Sequence, residues 1–289
     1  MGAADVVPGV SGGTIAFITG IYDELLAALN AINLRTLKLW RKEGFSAVWD
    51  EIHGNFLVAL FAGIAVSFLT LARIFKSLLD SYPHLLWSFF FGLIIGSIFL
   101  VGKMISKWNV VAIVGLIIGT AISYWFTILD PANAGVSMLY IFVAGVIAIC
   151  AMILPGISGS FILLLMGVYY PMLEAVTNFD LKFIAIIGSG AAIGLLSFSR
   201  LLKWTLDRYR EPTIAILIGF LIGSLNKIWP WKEVIEYRLN SHGESVPFIE
   251  ENILPQAHEN PQIAWVVLLV ILGIAIIFLL DKFAPKEEA

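Results

Sequence analysis

The chain has 289 residues, 59% of them hydrophobic and only 13% charged, whereas an ordinary soluble domain carries charge at roughly 25% of its positions. A mean hydropathy of +0.91 leaves no water-facing surface for a soluble enzyme, and a net charge of -3 with a pI near 5.8 gives no basic face for nucleic acid. The single cysteine, Cys150, excludes an internal disulfide, and the 4 histidines have no zinc-ligand spacing, so no metal is expected.

In chain order, the first apolar stretch is 6–29. Pro8-Gly9 interrupts it, followed by Ser11-Gly12-Gly13-Thr14, and a Pro-Gly break inside an apolar run predicts a re-entrant hairpin. Only seven residues precede Pro8, so a short entering arm is expected, and Met1 leads into Gly-Ala-Ala-Asp without the basic segment of a signal peptide. A loop over 30–55 follows. Stretches 55–76, 84–103 and 109–128 are each long enough to cross a hydrocarbon core about 30 Å thick. The second interrupted stretch, 137–176, breaks at Pro155-Gly156 and continues through Ser158-Gly159-Ser160. Three more spans are expected at 183–203, 212–229 and 263–281, with an acidic loop at 230–262.

The two breaks are copies of one pattern, PGVSGGTIAFITGIY from Pro8 and PGISGSFILLLMGVY from Pro155. Downstream, Phe56–Ile98 aligns without gaps on Phe183–Leu225, with 13 of 43 positions identical, among them Arg73/Arg200, Lys76/Lys203, Asp80/Asp207 and Tyr82/Tyr209. The expected fold is therefore an all-α integral membrane protein of two repeats, 1–130 and 136–289, each with one hairpin and three spans, forming a single membrane domain. Three full spans separate the hairpins, and an odd number inverts the second copy. With the first hairpin cytoplasmic, 12 of the 18 lysines and arginines fall on that side, which puts both termini inside and the 230–262 loop outside.

Broken helices at matching positions of two halves mark a transporter binding site. In each turn proline ends one arm, glycine permits positive φ and serine stands where it caps the next helix, whose backbone N–H groups suit an anion. Ser11, Gly12, Gly13 and Thr14, with Ser158, Gly159 and Ser160, are thus the candidate binding residues. Arg73 and Arg200 are candidate anion forks on opposite leaflets, their bland reading being interfacial anchoring beside Lys76 and Lys203. Asp5 has no acidic counterpart in the second copy and is the candidate for proton or sodium coupling. Tyr22 and Tyr169 read as members of the aromatic belt, and the glycine pairs Gly92/Gly96 and Gly219/Gly223 as helix-packing positions.

GAADVVPGVSGGTIAFITGIYDELL, with its second copy ICAMILPGISGSFILLLMGVY, resembles the bacterial and archaeal polyprenyl-phosphate transporters of the PopT type, over essentially the whole chain. The resemblance implies a flippase of the cytoplasmic membrane that returns undecaprenyl phosphate from the outer to the inner leaflet, with no cofactor. Its partners would be that lipid and the surrounding membrane lipids, and a homo-oligomer is compatible with it. Two rivals stand beside it. A polyprenyl-pyrophosphate phosphatase would carry a PGxSRSG-like turn, but Gly12 and Gly159 occupy the arginine position, so hydrolysis has no evident catalyst. A secondary transporter of a water-soluble anion fits the same broken helices.

Overall fold

The computed structural model describes residues 1–2, 12–129, 137–239 and 245–283. Pro8, Gly9, Ser11 and Asp5 lie outside these residues, as does the side chain of Arg73. The first motif enters as α1 (Gly12–Ile18) and α2 (Tyr22–Ala31), followed by α3 (Leu34–Glu43) and α4 (Phe45–Glu51). Then come α5 (Gly54–Ser81), α6 (Pro83–Gly102) and α7 (Val110–Thr127). The second copy gives α8 (Met138–Ile153), α9 (Gly159–Leu165), α10 (Tyr169–Thr177), α11 (Leu181–Arg208) and α12 (Arg210–Ser224), and the chain closes with strands β1 (Lys232–Leu239) and β2 (Ser245–Asn252) and helix α13 (Ile263–Phe283).

The duplicated sequence folds into duplicated local structure. α1 and α9 both have 7 residues and end on a glycine in the left-handed region, Gly20 at φ 75° and Gly167 at φ 67°. Both ends are Schellman caps. Gly20 N–H bonds the Phe17 carbonyl and Ile21 N–H that of Ala16, while Gly167 bonds Leu164 and Val168 bonds Leu163, so the last carbonyls of each short helix are satisfied. α5 and α11 both run 28 residues and both stop at a tyrosine, Tyr82 (φ -143°, ψ 55°) and Tyr209 (φ -133°, ψ 52°), before the next helix starts.

Among the described residues, five helices are long and apolar enough to cross a membrane: α5, α6, α7, α11 and α13. At about 1.5 Å per residue the 28-residue pair measure about 42 Å, more than the roughly 30 Å hydrocarbon core, so they tilt or project beyond it. Apolar side chains such as Leu69, Val110 and Leu139 stand on the outside, the surface a protein offers to lipid. α6 is different: 61% of its span is buried, against 22% or less for the other four. Its repeat equivalent α12 is likewise buried through Ile214, Leu217, Ile218 and Leu221, and the two pack against each other at the centre.

Glycines set how closely these central helices are covered. A Cβ on Gly92 would lie 2.1 Å from the Val270 carbonyl of α13, and one on Gly219 would lie 2.4 Å from the Leu116 carbonyl of α7. Such contact is available only to residues without a side chain, the small-residue packing of membrane helices. α6 is thus covered by the last helix of the second half and α12 by the last helix of the first.

Three expectations are corrected. The 230–262 segment is not a plain loop but carries a strand hairpin on the otherwise helical body: β1 and β2 pair antiparallel from Lys232↔Asn252 to Leu239↔Ser245, with the ladder interrupted around Glu236. Residues 30–55 hold α3 and α4, two short helices, with Asn33 capping α3 by accepting from the N–H groups of Arg35 and Thr36. The span at 212–229 is a 15-residue helix that stops at Ser224, because the chain turns there: Leu225 N–H bonds Ile222 and Lys227 N–H bonds Ser224.

Gly63 and Gly190 occupy equivalent repeat positions with opposite surroundings. A Cβ on Gly190 would fall 2.1 Å from the Phe142 carbonyl of α8, whereas one on Gly63 meets no atom within 4 Å. Gly190→Ala should therefore cost about 1–3 kcal/mol through overpacking, and Gly63→Ala should be neutral or stabilising through helix propensity. The thermal unfolding midpoint in detergent checks both: lowered for the first and unchanged or raised for the second.

Candidate functional site

The site is built around the break between α8 and α9. Pro155 lacks an N–H and cannot continue α8, so the chain leaves the helix at Leu154 in extended conformation (ψ 133°). Gly156 follows at φ 86°, with its α-carbon so near α12 that a Cβ would lie 2.8 Å from the Phe220 carbonyl. Conformation and crowding both demand glycine there. α9 then folds back along α8, where a Cβ on Gly159 would come within 2.6 Å of the Ala148 carbonyl, and beyond Gly167 α10 turns away from α9 by 109°.

The first motif packs onto this break. Thr14, only 3% exposed, accepts the Gly156 N–H at its Oγ1 at 2.9 Å. Tyr22 donates its hydroxyl to the Ile153 carbonyl at 3.0 Å, and a Cβ on Gly13 would lie 2.6 Å from that same oxygen. Backbone groups freed by breaking one copy are thus bonded by side chains of the other. Tyr22 accordingly belongs to the core rather than to an aromatic belt, 2% exposed and edge-on to Phe17 with ring centres 5.0 Å apart.

Of the residues singled out in the sequence, Gly12, Gly13, Thr14, Gly156, Ser158, Gly159 and Ser160 come from the two motifs that meet here. The expected cap from Ser158 to α9 is not made; its Oγ lies 2.9 Å from Ser160 Oγ, each hydroxyl taking the other as partner. One hydroxyl donates to the other, which leaves the acceptor's own proton for a further partner. Arg200 is not brought to the turn. It is exposed on α11 and donates to the Ile32 carbonyl at 3.3 Å, the geometry of an anchoring side chain. Its neighbour Lys203 pairs with Asp207 at 3.8 Å.

Polar cavities lie at either end of α12. Beyond its C-terminal end lies one of about 390 Å³, lined by Thr127, Phe161, Asn226, Lys227, Lys232 and Glu250 among others. Next to it a cavity of about 10 Å³, room for no more than one water, is lined by Gly156, Ile157, Ser158 and Ser224. Thr127, Phe161 and Lys227 line both, so the larger cavity abuts the turn. At the start of α12 a cavity of about 380 Å³ is bordered by Phe17 and Asp23 of the first motif and by Lys203, Asp207 and Arg210.

The strand hairpin covers the C-terminal cavity. Asn252 donates to the carbonyl and side-chain oxygens of Asn226 at 2.8 and 3.0 Å, and Asn226 donates to Thr127 Oγ1 at 2.8 Å, tying β2 to the ends of α12 and α7. Lys232 stands over the Trp87 ring at 4.3 Å and pairs with Glu250 at 3.1 Å. Burial pushes its ammonium below the ordinary lysine range, and the Glu250 carboxylate opposes that shift. Sequence reasoning missed this cluster because Lys227 falls inside the apolar stretch 212–229 expected to be a span.

Taken together, long lipid-facing helices surround the break between α8 and α9, against which the first motif's helix packs, with a polar cavity at either end of α12 beside them; this is a multi-pass membrane protein with a broken helix at its centre. The chain belongs to the undecaprenyl phosphate translocase-like family, whose profile matches residues 1–246. It is similar to a polyprenyl-phosphate transporter of Vibrio cholerae serotype O1, 47% identical over 99% of this chain and 94% of the relative. It is also similar to a polyprenyl-phosphate transporter of Staphylococcus aureus, 32% identical over 80% of this chain and 83% of the relative. No solved structure matches it.

The bond between the motifs is testable by stability. Thr14→Val keeps the shape but leaves the buried Gly156 N–H without its acceptor, a loss of about 1–3 kcal/mol, whereas Thr14→Ser keeps the oxygen. The unfolding midpoint in detergent should drop for valine and stay near the parent for serine.

Proposed function

We propose that this protein moves a polyprenyl phosphate across the cytoplasmic membrane, from the outer to the inner leaflet, by alternating access. The observation that carries the reading is the Thr14–Gly156 bond, which joins the two motif copies beside α12, between the cavities at its two ends. The relatives' names supply the substrate class. Inversion of the two repeats would make equivalent elements open in turn to opposite leaflets, and the matching caps of α1 and α9 support treating them as equivalent. Excess basic charge on the side of Lys103, Lys107 and Arg210 supports that side as cytoplasmic, with the strand hairpin outside.

On this reading each interrupted stretch is re-entrant, and the phosphate passes the turns, meeting the Ser158 and Ser160 hydroxyls and the glycine backbone, while the isoprenoid stays in lipid. Arg200 ties α11 to the end of α2, and Asp5 keeps its role as the coupling candidate. The chemistry needed is binding and release, and the relatives are named as transporters, not hydrolases.

The test is flipping of a labelled short-chain polyprenyl phosphate in proteoliposomes. The parent protein should move the label across at rates far above empty liposomes, and Ser158→Trp, which fills the turn, should abolish flux while remaining monodisperse in detergent. Parent flux no higher than empty liposomes, or movement of inorganic phosphate instead of the lipid, overturns the reading.

A further inference from the structure

Lys227 stands out among the cations near the turn. Its Nζ sits 4.8 Å from the centre of the Phe161 ring, and no carboxylate comes within ion-pair distance of it among the described residues. Lys232, on the same cavity, is already neutralised by Glu250, and the other carboxylate on the wall, Glu251, is exposed to solvent. Asn226 and Asn252 are occupied with each other and with Thr127. A half-buried ammonium with three donors, whose counter-charge is the Glu250 carboxylate already paired with Lys232, is costly unless something supplies more negative charge.

We infer that Lys227 is the residue that receives the phosphate monoester headgroup, holding it in the cavity beneath the strand hairpin and delivering it to the Ser158–Ser160 turn. Lys227 lines both the large cavity and the small one beside Gly156 and Ser158, so a phosphate held by its ammonium already borders the turn. The volume of about 390 Å³ admits a phosphate with several waters but not a long isoprenoid, which has to leave sideways. Phe161, one residue after Ser160 on α9, fixes the ammonium through its ring face, so headgroup binding and the position of α9 are mechanically linked. The Lys232–Glu250 pair screens the cavity without competing for the anion.

The inference rests on the transport reading above, and one experiment separates the two. Purified protein in detergent is titrated with farnesyl phosphate and, separately, with farnesol. Lys227 of the parent protein is also probed by an amine-acylating reagent, read by peptide mass spectrometry. Farnesyl phosphate, but not farnesol, should protect Lys227 several-fold from acylation. Lys227→Gln should weaken farnesyl phosphate binding about tenfold or more and abolish the preference over farnesol, with Lys227→Arg retaining most of it. The acylation readout needs no variant, so it decides the matter even if Lys227→Gln fails to fold. If farnesyl phosphate binds the parent but leaves Lys227 acylation unchanged, or binds Lys227→Gln equally well, the role of Lys227 is overturned and transport stands. If the parent does not bind farnesyl phosphate at all, both fall.

Discussion

A helix broken inside an apolar body releases backbone N–H and carbonyl groups that lipid cannot bond, so they must find partners in the protein. Here the break after α8 frees the Ile153 carbonyl and the Gly156 N–H, and the first motif meets both, through Tyr22 and Thr14. That pairing makes the second break depend on the first motif, whose side chains supply the partners its freed backbone groups need. It also explains two glycines: a side chain on Gly13 would push away the backbone of the second break, and one on Gly156 would push away α12 behind it.

The rest of the architecture follows from keeping that junction dry at its sides and polar at its ends. α6 and α12 close around it with almost purely apolar surfaces, and their buried hydroxyls, Ser97 and Ser224 at equivalent positions, turn inward onto their own helices' carbonyls. Polar cavities lie past the ends of α12. The end under the strands is the more tightly organised: Trp229 and Trp231 donate to the Ile253 and Pro261 carbonyls, fixing the strand hairpin onto the helix ends. Lys227 is half-buried in that frame against the Phe161 ring, which separates it from Arg200, exposed at the protein's edge.

Much of this was legible in the sequence because hydrophobic run length and a recurring internal motif are strong signals. The long helices fall within a few residues of their expected positions, and the motif pair marked the turn that the structure assembles. What could not be read depended on partners. Tyr22 looks like any interfacial tyrosine until the Ile153 carbonyl is seen beside it, and Arg200 looks like a ligand fork until the end of α2 occupies it. α3 and α4 are short and polar, so run length passes them over. The strands carry their alternation within an acidic segment, and the end of α12 was hidden because Ile228 and Trp229 keep the apolar average high past Ser224.

The crosswise covering of the central helices bears on how the chain is made. α6 leaves the ribosome long before α13, yet α13 is the helix that fits against Gly92 and Gly96, with Gly273 pressed in turn onto the Phe89 carbonyl. During synthesis that glycine stripe faces lipid or the insertion machinery until the last helix arrives. α7 waits in the same way for α12. The nascent protein therefore cannot complete its first half before its second is in the bilayer, and assembly ends in one late closure rather than in two successive ones.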